Sequence, residues 1–284
     1  MKIPLHFWKV ADKRINLIPR ISGINNEELF RFINNQNIQR MKKIILSSAL
    51  VAFALVLRAQ NVPEGFVSLF NGKDFTGWKL PEGDNGHWKI LNGVIDYDAE
   101  SESKGDKSVW SEKKYKDFIL YVDFRIKETP WENPNVPFIL PSGLHKRDNN
   151  GKEIRIKVPD SDSGIMMRGT GNLQANIWCW PVGCGEVYGY RMDENMPPAV
   201  RAAVTPKTNA DKNIGEWNTF KITLQKDFLT VEVNGKVVIE NAYLPNLPLE
   251  GPIGLQHHGD KRNGVWVSPP ALVQFRNIYI KELL

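Results

Sequence analysis

Residues 61 to 284 predict an all-β sandwich of roughly a dozen antiparallel strands, about as many as one domain of this length carries. Three observations lead there. Asn-Gly, the strongest short-range hairpin signal, occurs at 71–72, 85–86, 92–93, 150–151, 234–235 and 263–264. The segments between these turns alternate apolar and polar residues with a period of two. No stretch after residue 60 carries the 3.6-residue periodicity of an amphipathic helix of twelve or more residues.

The individual strands follow from that period. In FILYVDFRI, Phe118, Leu120, Val122, Phe124 and Ile126 fall on one face and Ile119, Tyr121, Asp123 and Arg125 on the other. FLTVEVNGKVVIE reads as a strand, an Asn234-Gly235 turn and a second strand, and FKITL and VQFRNIYIKEL repeat the pattern. QANIWCW and GEVYGY read as two further short strands, and SGIMMRG and GPIGLQHHGD as two more. Residues 127–162, with Pro130, Pro134, Pro137 and Pro141, and residues 191–214, with Pro197, Pro198 and Pro206, read as long irregular loops. Loops of that length in a compact domain are usually functional rims.

The chain ahead of this domain has a different character. Residues 41–60, MKKIILSSALVAFALVLRAQ, join two lysines, an apolar run from Ile44 to Leu57 and a small residue at Ala59. That is the layout of a signal peptide, and the apolar run is short for a bilayer span. No Cys follows the cleavage point, so a lipoprotein anchor is not expected. The mature protein is then periplasmic or secreted, with no integral membrane domain. Residues 1–40 are expected to be dispensable, either an over-extended reading frame ahead of Met41 or a short tail before a signal anchor. A chain beginning at Asn61 is expected to fold by itself.

Removing residues 1–60 reverses the charge balance. Residues 1–40 hold seven Lys/Arg and three Asp/Glu, and residues 41–60 hold three Lys/Arg and no acid. Of 37 basic and 32 acidic residues, 27 and 29 remain, a net charge near −2. The basic surface that nucleic-acid binding requires is therefore absent from the predicted domain. Cys179 and Cys184 flank the turn WPVG and leave two readings open, a disulfide across a hairpin or two unpaired thiols. No Cys/His cluster has zinc-ligand spacing.

Several predicted strands have one apolar face and one unusual polar face. In QANIWCW, Ala175, Ile177 and Cys179 oppose Gln174, Asn176 and Trp178. In GEVYGY, Glu186, Tyr188 and Tyr190 share a face; in SGIMMRG, Met166 and Arg168 oppose Ile165 and Met167. In GPIGLQHHGD, Ile253, Leu255 and His257 point to the core, and Gln256 and His258 away from it. If these strands are neighbours, one sheet face collects Arg168, Gln174, Asn176, Trp178, Glu186, Tyr188, Gln256 and His258. Singly, each has an ordinary explanation: a solvated charge, a structural histidine, a cross-strand aromatic pair. Together they suit a pyranose, whose ring stacks on indole or phenol while amides and Arg bind its hydroxyls.

The motifs FVSLFNGKDFTGWK, DSGIMMRG, GEVYG, GEWNTFKITL, VNGKVV, GPIGLQHHG and VQFRNIYIKEL occur in that order between residues 64 and 284. In this the chain resembles the 3-keto-disaccharide hydrolase domain family, once a domain of unknown function. The resemblance implies a concanavalin-like jelly-roll sandwich of two antiparallel sheets. It also implies cleavage of glycosides whose sugar is oxidised to a ketone at C3, and hence a sugar 3-oxidoreductase as a functional partner. His258 falls on the histidine of the family's LQ-x-HG motif, and His257 on its variable position. Asp162-Ser163-Gly164 stands where the family commonly has Asn-Ser-Gly, and Gln174-x-Asn176 where it commonly has Glu-x-Gln.

These residues favour one chemistry over another. Hydrolysis of an ordinary glycoside uses two carboxyl groups flanking the bond, and Glu186 is the only carboxylate on the assembled face. A C3 ketone acidifies the C2 proton, so a single base can start an elimination at C1, with water adding afterwards. His258 is the candidate base. Glu186 is a second acid/base or an orienter of the histidine, and Arg168, Gln174 and Asn176 are oxyanion donors. Trp178 and Tyr188 form the stacking platform, beside Gln256. No cofactor is identified; a divalent cation could assist the donors, with no ligand set legible. The alternative is a non-catalytic, lectin-like carbohydrate-binding module with an oligosaccharide or glycoside as ligand.

Overall fold

The structure is a computed structural model that describes residues 62–283. The expected extension and signal peptide therefore lie outside the described residues.

In chain order the first strands are β1 (Val67–Ser68), β2 (Trp78–Lys79), β3 (Trp88–Leu91), β4 (Val94–Tyr97), β5 (Val109–Tyr115) and β6 (Phe118–Ile126). A hairpin, β7 (Trp131–Pro137) and β8 (Arg155–Asp160), leads to β9 (Asp162–Met167) and β10 (Thr170–Trp178). Two short helices follow, α1 (Tyr188–Met192) and α2 (Pro198–Ala203). The chain then returns to strands: β11 (Asn218–Gln225), β12 (Phe228–Val233), β13 (Lys236–Tyr243) and β14 (Gly251–Leu255). A small hairpin of β15 (Lys261–Arg262) and β16 (Val265–Trp266) precedes β17 (Val273–Glu282).

These strands form an antiparallel jelly-roll sandwich of the concanavalin type. One sheet runs β13-β12-β11-β6-β17-β4-β3, with β1 added beside β17, and the other runs β10-β9-β14-β5-β2. The period of two is what makes each strand two-faced. Phe118, Leu120, Val122 and Phe124 of β6 lie with Phe220, Ile222 and Leu224 of β11 in one buried cluster. Ile165, Ala175, Ile177, Ile253 and Leu255 of the five-stranded sheet join the same cluster. Burying each large side chain contributes about 1.5–3 kcal/mol, so the apolar alternation fixes the register of both sheets. Asn92-Gly93, Asn234-Gly235 and Asn263-Gly264 have positive φ at both residues and close the β3–β4, β12–β13 and β15–β16 hairpins.

Three expectations differ from the structure. The segment GEVYGY is not a strand: Gly185 lies in a turn, the Gly185 N–H and the Glu186 carbonyl bond to Asn176 of β10, and Tyr188 begins α1. The backbone at Gly189 lies so close to Asn172 that a Cβ would sit 2.5 Å from the Asn172 carbonyl, so only glycine lets the chain turn there. Residues 127–162 are not wholly irregular, because β7 and β8 pair despite Pro134 and Pro137. That pairing slips between Asn133 and Val136, and the irregularity accommodates a residue with no N–H. In residues 191–214, Pro198 occupies the first turn of α2, where its missing N–H costs nothing.

Candidate functional site

The outer face of the five-stranded sheet is set by the pairing of β9 with β10. Trp178 lies opposite Asp162, Asn176 opposite Gly164 and Gln174 opposite Met166. On the other side of β9, Gly254 of β14 pairs with Met166. A Cβ at Gly164 would lie 2.6 Å from Gln174 Oε1, so the glycine leaves room for that amide to lie across the sheet. Past the end of β14, Gln256 stays bound to β9 through its N–H to the Gly164 carbonyl at 3.0 Å. The result is a cleft of about 350 Å³ lined by Gln174, Asn176, Tyr188, Gln256, His258 and Asp162, with both tryptophans at one end.

Six of the eight expected residues meet there, and His258 has the most defined geometry. Its Nδ1 is 2.7 Å from the Pro269 carbonyl oxygen. A carbonyl only accepts, so Nδ1 carries a hydrogen, and in the neutral ring the lone pair falls on Nε2. Nε2 lies 3.7 Å from Asp162 Oδ2, an electrostatic neighbour beyond hydrogen-bond length. His257 turns the other way, with Nδ1 2.6 Å from the Tyr97 hydroxyl and its ring edge-to-face with Tyr97. Burial, aided by Lys107 and His258, pushes the His257 imidazole down to about 4, so it is neutral at ordinary pH.

The amides on the cleft floor share a feature. Gln174 Oε1, Asn176 Oδ1 and Gln256 Oε1 are buried with no partner among the described residues. All three side chains line the cleft, and the NH2 group of each is the donor it can offer a ligand.

Trp178 lies on the expected face but is no open platform, for it is only 2 % exposed. Trp180 stacks on it at 4.1 Å between ring centroids, Tyr188 meets its edge at 6.0 Å, and its Nε1 donates to the Gly183 carbonyl at 2.8 Å. The outer surfaces belong to Trp180, half-buried, and Tyr188, 38 % exposed. Trp180 is fixed in turn by donating to Asp160 Oδ2 at 3.0 Å.

Arg168 and Glu186 are not on this face. Arg168 has φ +49 and begins the turn from β9 into β10, so strand alternation no longer aims its side chain. It is buried, donating to the carbonyls of Lys116, Pro248 and Lys226 and to Asp117. It ties three loops together rather than meeting a ligand. Glu186 is wholly buried and paired with the equally buried Arg191, which also contacts His145 Nε2 at 3.2 Å. Burial raises the Glu186 carboxyl, and the guanidinium pulls against it. The pair lies behind Tyr188, whose ring stands 5.5 Å from the Arg191 guanidinium.

Asp162 is the carboxyl group the cleft does contain. Burial pushes it up to about 6; nearby Asp160 adds to the shift and His258 opposes it. Two residues that sequence reasoning passed over were within its reach. Extending the alternation by one step carries QANIWCW from Trp178 to Trp180, and carries the next strand from Gly164 back to Asp162. Asp162 and His258 are the two ionisable ligand types at the cleft. Among the described residues no group of three or more His, Cys, Asp or Glu is placed to hold a metal ion. Cys179 and Cys184 are free thiols, both raised by burial.

A β sandwich whose surface cleft offers amides, indole, phenol and a histidine suits a carbohydrate ligand. The sequence profile of the 3-keto-alpha-glucoside-1,2-lyase-like domain matches residues 65–281, and the chain is a member of that family. No curated protein matches the chain. Among solved structures, it is similar to a candidate glycosyl hydrolase of Parabacteroides distasonis ATCC 8503, 22 % identical over 78 % of this chain and 84 % of that one, with a TM-score of 0.48. It is similar to a carbohydrate-binding module of Bacillus subtilis, 16 % identical over 72 % and 96 % of the two chains, TM-score 0.36. A Bacillus licheniformis β-glucanase is 12 % identical over 77 % and 97 %, TM-score 0.38. Among the described residues no helix is long and apolar enough to cross a membrane.

Proposed function

We propose that this protein cleaves 3-keto-glycosides at C1 by first removing the C2 proton, with His258 as the base. The observation that carries this reading is the anchoring of His258: Nδ1 is committed to the Pro269 carbonyl, which leaves a basic Nε2 at the cleft. A ketone at C3 delocalises the charge left when the C2 proton departs. The enolate then expels the C1 substituent, and water adds to the unsaturated sugar to complete a net hydrolysis. The NH2 groups of Gln174, Asn176 and Gln256 are the donors available to the developing oxyanion, preorganised by the sheet floor. Trp180 and Tyr188 offer ring surfaces to the sugar.

A 3-keto substrate has to be made by a dehydrogenation at C3, so a sugar 3-oxidoreductase is the functional partner. Residues 41–60 direct the protein to the periplasm or the outside of the cell. The reading is tested with a 3-keto-glycoside carrying deuterium at C2. The wild-type protein is expected to turn it over more slowly than the protiated form. His258→Ala is expected to lose about 10²–10⁴-fold in rate, the usual contribution of a positioned base, with substrate binding largely kept. Full activity in His258→Ala would reject the assignment.

A further inference from the structure

Expulsion of an alcohol from C1 leaves a charge on oxygen, and a proton donor separate from His258 neutralises it while the imidazolium keeps its proton for return to C2. We infer that Asp162 is that donor and that Asp162 and His258 together form a complete acid–base pair, an assignment that rests on the proposed elimination. Among the described residues Asp162 is the only carboxyl lining the cleft. Glu186 is shut in with Arg191. Asp160 is fully buried and accepts from Asn133, Trp180 and the Cys179 backbone. Asp162 stands on β9 within 3.7 Å of His258 Nε2, so both groups reach one bound sugar. The groups that face it are His258 beyond the end of β14, Asp160 at the end of β8 and the Cys179 thiol next to β10. Burial and Asp160 shift its carboxyl towards the protonated form, the one that donates, while His258 pulls the other way.

The protons balance through the whole cycle. At the start His258 is neutral and Asp162 holds its proton. The C2 proton moves to Nε2, the C1–O bond breaks, a C1–C2 double bond forms conjugated with the C3 ketone, and the Asp162 proton goes to the departing oxygen. The products are an alcohol and an unsaturated keto sugar, held beside an imidazolium and a carboxylate. Water then takes the place of the alcohol: Asp162 accepts a proton from it, hydroxide adds at C1, and the imidazolium returns a proton to C2. The pair is back in its first state, and the sum is hydrolysis without redox change or external co-reactant.

The test separates a proton donor from a residue that merely supports the fold. Asp162→Asn keeps the shape and removes the proton. Against a 3-keto-glycoside with an alkyl alcohol as leaving group, kcat is expected to fall about 10²–10⁴-fold. Against the p-nitrophenyl 3-keto-glycoside, whose leaving group needs no proton, the first-turnover release of p-nitrophenolate, which precedes the hydration step, is expected to stay within several-fold of wild type. The wild-type kcat for the alkyl substrate is also expected to decline above about pH 6 as Asp162 ionises, and this limb is expected to vanish in the variant. Asp162→Ser, read in the same way, replaces the Asn variant if that one fails to fold. An equal fall on both substrates, or no fall on either, overturns the role of Asp162 while leaving His258 in place. A wild-type protein inert towards both substrates overturns the base and the acid together.

Discussion

Trp178→Ala removes an indole held on three sides: stacked on Trp180, met edge-on by Tyr188 and hydrogen-bonded to the Gly183 carbonyl. The side chain is 2 % exposed, so its loss leaves a cavity under the cleft instead of a shorter binding surface. Truncating a buried Trp to Ala costs about 3–5 kcal/mol, aromatic contacts included. For a domain of this size each kcal/mol corresponds to about 2–4 °C, so the melting temperature is expected to drop by about 6–20 °C. Trp180 loses its backing at the same time, so sugar binding falls as a consequence. Trp180→Ala provides the contrast, since Trp180 is half-buried on the cleft side. It is expected to melt closer to wild type while weakening glycan binding by about 1–3 kcal/mol, by analogy with other aromatic stacking platforms. Thermal unfolding and a glycan titration on both variants decide the matter. A Trp178→Ala protein that melts within about 2 °C of wild type and binds poorly would refute the reasoning. It would make Trp178 the exposed platform that the strand pattern alone suggests.

His257→Ala is expected to cost about 1–3 kcal/mol of stability, because it orphans the Tyr97 hydroxyl; loss of turnover at unchanged stability would contradict the inward placement. Glu186→Ala strands the buried Arg191 charge, and urea unfolding is expected to show a loss of about 3–5 kcal/mol. Glu186→Gln keeps the packing, and the folded protein is expected to retain its rate; an inactive but stable Glu186→Gln would return Glu186 to the chemistry. A thiol reagent is expected to leave Cys184 unmodified until the protein unfolds, then to modify both cysteines, whereas a bonded pair would take up none.

The fold was legible because its signals are local and repeated. Strand β6 has the bounds that its alternation gives, and Asn-Gly marks the turns where two consecutive positive φ values are needed. The cleft was legible only where alternation persists, as at Gln174, Asn176, Gln256 and His258. It failed where the backbone leaves the strand. Arg168 departs at a positive-φ turn, and Glu186 precedes a helix that close packing of Gly189 against Asn172 imposes. A period of two gives the side of a sheet, but not what covers that side. Trp178 is on the right face and still buried, because Trp180 folds over it. Ionisation is hidden in the same way: burial raises Asp162, Asp160 adds to the shift, and His258, far along the chain past β14, opposes it.

The central claim is that the protein acts on the ketone form of a glycoside, through an acidified C2 proton. The measurement that tests it most directly is sugar release from one disaccharide offered to residues 61–284 in its native form and oxidised to the ketone at C3. Release from the 3-keto form alone, abolished in His258→Ala, is the predicted result. Equal release from the native disaccharide, or binding of the 3-keto form without any release, would contradict it.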